Sequence, residues 1–128
     1  MNLGTRLNNW SNIRYSPRNN LHGQIGSTGG FVNFATVADW RRAFRILLCN
    51  YLIEGHNTIT SVIERYAPSE ENDTEAYIAN VSEWTGIDPH RLLSKTDIPA
   101  LMKAMTRQET GNVLSDDDMT EIAKELGV

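Results

Sequence analysis

The chain has 128 residues, 40% of them hydrophobic, with three Trp and one Cys. That suffices to bury a core in one folded unit without cross-links, and it excludes an intramolecular disulfide. A net charge of −4 argues against nucleic-acid binding, which needs clustered Lys and Arg, and the absence of any long apolar run argues against membrane insertion.

The first 35 residues form an Asn- and Gly-rich segment, followed by a helical part over residues 36–128, all within a single domain. Inside the front segment, Gln24-Ile25-Gly26 and Phe31-Val32-Asn33-Phe34 predict a short hairpin turning through Ser27-Thr28-Gly29-Gly30. Thr36 is a suitable N-cap for a central helix with Trp40, Ala43, Phe44, Leu47, Leu48, Tyr51 and Leu52 at helical spacing until Gly55. Thr58 opens a shorter helix that Pro68 stops. Asn72 and Glu75 have capping-box spacing before a helix bearing Tyr77, Ile78, Val81 and Trp84, closed by Gly86. Asp97 or Thr96 begins a fourth helix, with Pro99 in its first turn and Ile98, Leu101, Met102 and Met105 as its stripe; Ser115 with Asp118 caps a last one. The expected class is α+β, mainly helical, with about five helices and one N-terminal β-hairpin. With no basic-then-apolar leader in view, synthesis in the cytoplasm without a signal peptide is expected.

Glu109 is the foremost chemical candidate. It stands four residues after Met105, seven after Met102 and eleven after Ile98, which puts it on the core-facing stripe at the helix end. Apolar surroundings and the negative end of a helix both disfavour a charged carboxyl, so it can keep a proton and act as a general acid. The bland alternative pairs Glu109 with Arg107 or Lys103 at a fraying end. Glu54, at the end of the central helix, is the second candidate. Glu64, Glu75 and Glu83 fall on polar faces or caps.

Asp116-Asp117-Asp118 lacks the alternating ligands of a calcium loop, and His22, His56 and His90 have no zinc-like spacing, so neither metal nor cofactor is expected. Cys49, inside an apolar run, reads as a small hydrophobe. In the front segment, Asn12, Arg14, Tyr15, Gln24 and Phe31 combine amides, a guanidinium and aromatic faces that suit an uncharged polar polymer such as a glycan. The competing account is that the Asn side chains tie down irregular backbone.

Together, Asn8-Asn9 with Asn12 to Tyr15, the Gly-rich stretch 23–36, residues 67–78, Thr85 to Asp88 and Glu109 to Gly111 resemble small phage virion proteins of the structural protein P5 type, which look like lysozyme or lytic-transglycosylase domains. The resemblance implies a small lysozyme-like domain, the glycan strand of peptidoglycan as substrate, Glu109 as proton donor, and Asn12, Arg14, Tyr15, Gln24 and Phe31 along the cleft. It also implies a virion location, other virion subunits as partners, and action at the host cell wall. The sequence departs from that pattern at Asn9-Trp10-Ser11-Asn12, Thr36-Val37-Ala38 and Thr110. A single acid favours transglycosylase-type cleavage over a two-carboxylate hydrolase. The alternative is a non-enzymatic structural virion protein of the same fold, with an exposed Trp10 as interface anchor.

Overall fold

The computed structural model describes residues 1–70 and 72–128. Glu71, part of the acidic stretch in residues 67–78, lies outside the described residues. In chain order the elements are α1 (Leu3–Arg6), β1 (Gln24–Thr28), β2 (Phe31–Phe34), α2 (Val37–Ile53), α3 (Ile59–Tyr66), α4 (Thr74–Thr85), a single 3-10 turn (Lys95–Asp97), α5 (Ile98–Thr110) and α6 (Asp116–Leu126). The mainly helical α+β class holds, with one more short helix than the sequence pattern suggested. No helix among the described residues is long and apolar enough to cross a membrane.

The helix starts follow from their caps. Thr36 accepts from the Asp39 amide, Thr58 from that of Ser61, and Ser115 exchanges capping-box bonds with Asp118. The start of α4 differs from the Asn72–Glu75 expectation: Asp73 accepts from the Ala76 amide, while Asn72 donates to the Pro68 carbonyl. Ser94 and Asp97 form another box around the 3-10 turn that leads into α5. Each such cap satisfies a donor that the first helical turn leaves open.

The hairpin turn is tighter than predicted, because β1 runs on through Thr28 and pairs it with Phe31. Only Gly29 and Gly30 remain in the loop, with φ of 60° and 86°, the double positive-φ conformation that a two-residue hairpin turn requires. On its other side β2 meets the front segment: Val32 donates to the Ile13 carbonyl at 3.0 Å and Tyr15 to that of Gly30 at 2.8 Å. This pairing carries Asn12 and Arg14 toward the end of α5.

The core centres on α5, which packs against α2, α4 and α6, so α2 shares the central position expected of it. Ile98, Leu101, Met102 and Met105 are fully buried, as are Trp40, Phe44 and Leu48 of α2, Val81 of α4 and Ile122 of α6. Arg41 and Arg45 join α2 to Asp118 and Glu125 of α6 at 2.9 and 3.0 Å. Cys49 is half-buried rather than fully enclosed, and desolvation raises its thiol pKa.

Much of the Asn-rich front serves the backbone. Asn9 is completely buried; its amide donates to the carbonyls of Ile13 and Val32 at 2.9 and 3.0 Å and accepts from the Ile13 amide at 2.8 Å. Asn8 donates to Phe34 and Ala35, and Asn2 to Thr110. Gly4 allows the segment to pass this closely, since a Cβ there would run into the Asn12 side chain and come within 2.7 Å of the Asn9 carbonyl. Gly4→Ala is therefore expected to cost about 1–3 kcal/mol, seen as a lower urea midpoint at unchanged m-value; an unaltered midpoint would mean that the segment yields freely.

Candidate functional site

Glu109 ends α5 half-buried, with both carboxylate oxygens engaged. Asn12 donates to Oε1 at 3.1 Å and the Tyr77 hydroxyl to Oε2 at 2.9 Å. Asn12 reaches it from a left-handed backbone position, φ 55°, which Asn tolerates better than most residues. Neither cation of the bland pairing is involved: Arg107 instead lies over the Trp84 ring, 3.9 Å from its centroid.

Burial raises the Glu109 pKa above the ordinary glutamate value. The bonds from Asn12 and Tyr77 and the charge of Arg14 pull downward without cancelling that effect. Desolvation, followed by the nearby Glu109, holds the hydroxyls of Tyr66 and Tyr77 well above the usual tyrosine value, so both stay neutral donors. The carboxyl group opens onto a pocket of about 190 Å³ lined by Asn12, Arg14, Phe31, Tyr66, Ala67, Asn72 and Glu109. Glu109 is the one carboxylate among its described lining residues.

The bond from the buried Tyr77 stabilises the ionised form of Glu109. Its loss in Tyr77→Phe should thus raise the Glu109 pKa further. For a reaction requiring the protonated acid, the alkaline limb of the rate profile then moves to higher pH. An unmoved limb would separate Tyr77 from the titrating group.

Part of this chain has a known counterpart. It is 39% identical over 83 residues to Protein P5 of Pseudoalteromonas phage PM2, a match covering 64% of this chain and 52% of that protein. The chain thus spans about half the length of the curated relative it matches, and no family model matches it.

A larger groove of about 750 Å³ continues from the pocket along α2, sharing Asn12, Arg14 and Tyr66 with it. Its volume falls within the range of about 300–1,000 Å³ typical of ligand clefts. Tyr15, 43% exposed, lines this groove and not the pocket. Glu54 lies at the exposed C-cap of α2, lining the groove rather than joining Glu109. Phe31 lines the pocket, with the Arg14 guanidinium 5.6 Å from its ring centroid.

Gln24 is placed elsewhere: its Oε1 accepts from the Leu21 amide at 3.4 Å, and it lines neither cavity. Trp10 is half-buried against Trp40, ring centroids 5.6 Å apart, instead of standing free as an interface anchor. Tyr77 and Tyr66 were hidden within apolar stripes. The available signal was chemical, since a buried Tyr needs a partner for its hydroxyl.

Proposed function

We propose that this chain is a phage virion protein whose single lysozyme-like domain cleaves the glycan strand of peptidoglycan, with Glu109 protonating the glycosidic oxygen. The observation that carries this reading is a half-buried carboxyl group, its pKa raised by desolvation, opening onto a pocket that shares Asn12, Arg14 and Tyr66 with a larger groove along α2. A raised pKa keeps such a group protonated to higher pH than an ordinary carboxyl, and delivery of that proton to a leaving oxygen is the demanding part of glycoside cleavage. Asn12 and Tyr77 fix its orientation, while Arg14, Tyr15 and Phe31 offer a hydrogen-bonding edge and ring faces to sugars. Similarity to the phage protein supports a virion location and contacts with other virion subunits, and action at the bacterial wall follows only from the cleavage reading.

The experiment is incubation of the purified protein with purified peptidoglycan in water enriched in oxygen-18. Release of soluble fragments without the label supports intramolecular transfer, the transglycosylase type. Labelled fragments place water as the nucleophile and make it a lysozyme-type hydrolase. No fragments at all would reject cleavage.

One observation favours a second reading, a structural virion protein without activity. The same two bonds to Glu109 tie the front segment, α4 and α5 together, and a carboxylate so engaged can serve as a brace. On that reading Glu109→Gln loosens the fold and changes no reaction.

A further inference from the structure

The larger groove has a charge character that proton donation by Glu109 does not use. Of the 12 basic residues in a chain of net charge −4, Arg14, Arg18, Arg42 and Arg65 all line it, whereas Glu54 is its one acidic residue among those described. The arginines are presented in different ways. Arg65 lies 5.5 Å from the centroid of the Tyr51 ring, Arg42 stands 3.9 Å from an Asp39 oxygen, and Arg18 is exposed on the loop opposite.

We infer that this groove binds carboxylates, specifically those of the peptide stems carried by the glycan strand; the identity of the polymer rests on the cleavage reading above. A bare amino-sugar chain presents hydroxyls and amides and gives four guanidinium groups little to pair with. Peptide stems end in carboxylates, which planar guanidinium forks bind by paired hydrogen bonds. Because the groove shares Asn12, Arg14 and Tyr66 with the Glu109 pocket, a strand seated for cleavage directs its substituents along α2. Duplex nucleic acid is the weaker fit, since outside the groove the chain is predominantly acidic and would repel phosphates.

The test is calorimetric binding of disaccharide-peptide fragments to the full chain. Fragments with free stem carboxylates should bind about tenfold more tightly than the same fragments with those carboxylates amidated, as expected for one or two charge-assisted bonds. Added salt should narrow that gap, and Arg42→Gln/Arg65→Gln should abolish it. Arg18→Gln, on an exposed loop, provides a second variant that leaves folding intact and should narrow the gap severalfold. Equal binding of free and amidated fragments, a preference that survives all three substitutions, or tighter binding of a short DNA duplex would overturn the proposal. A charge preference in a protein that releases no fragments rejects cleavage alone, and cleavage without a charge preference rejects the groove assignment alone.

Discussion

Glu109→Gln should abolish fragment release from peptidoglycan, with a loss of at least about 10²–10⁴-fold in rate, while circular dichroism stays that of the parent. Gln keeps the shape of the side chain and an acceptor for Asn12 but has no proton to give. The same substitution should make the protein no less stable at neutral pH. A carboxyl whose folded pKa lies above its unfolded value contributes stability that is fully present at low pH and lost as pH rises through the folded pKa. Since desolvation raises the Glu109 pKa, the ionised wild type carries a burial penalty that the neutral amide avoids. Loss of stability at neutral pH together with unchanged release would favour the brace over the acid.

Asn9→Ala is the substitution expected to damage the fold most. It removes three hydrogen bonds of 2.8–3.0 Å, leaving the Ile13 amide unpaired in the interior and taking one bond each from the carbonyls of Ile13, which keeps the Val32 amide, and of Val32. With about 1–3 kcal/mol for the buried amide left unpaired and about 0.5–1.5 kcal/mol for each carbonyl bond lost, the loss should reach about 2 kcal/mol or more. Urea unfolding measures it directly, and Asn20→Ala, at an exposed position, should stay within about 0.5 kcal/mol of the parent. Equal midpoints for the two variants would mean that water replaces Asn9 at no cost. Since Asn9 sits between the hairpin and Asn12, its loss should also release the front segment from Glu109.

Helix boundaries were legible because they are local. A Ser, Thr or Asp at the cap and a Gly at the close act within a few residues, and Thr36, Thr58, Ser115 and Gly86 do so here. The start of α4 moved by one residue because two neighbouring side chains, Asn72 and Asp73, could both cap, and the choice depends on where the preceding loop runs. The four-residue α1 has no period to read.

The site was half legible. The stripe of α5 placed Glu109 at the core edge, but periodicity does not tell which chain segment covers a helix end, so Tyr77 stayed hidden among core residues. For the hairpin, alternation did not reveal which face meets the helices, and Gln24 was assigned to a cleft that it does not line. Two stretches that depart from the resembled pattern, residues 9–12 and Thr110, meet in space, and Ser11 is held by residues of α2 and α3. Ser11 Oγ accepts from the Trp40 indole at 2.9 Å, Tyr66 donates to the Ser11 carbonyl at 2.7 Å, and the Thr110 hydroxyl donates to the Trp10 carbonyl at 2.7 Å. A changed turn is thus held by partners far away in sequence, which local pattern cannot reveal.

Proton retention by Glu109 is read most directly from its carboxyl carbon resonance, followed by NMR from about pH 3 to about pH 8 across the range in which carboxylates and histidines titrate. The midpoint should lie above the ordinary glutamate value, in accord with desolvation outweighing the bonds from Asn12 and Tyr77. A midpoint at or below that value would leave an ordinary carboxylate at the end of α5 and contradict its role as the proton donor.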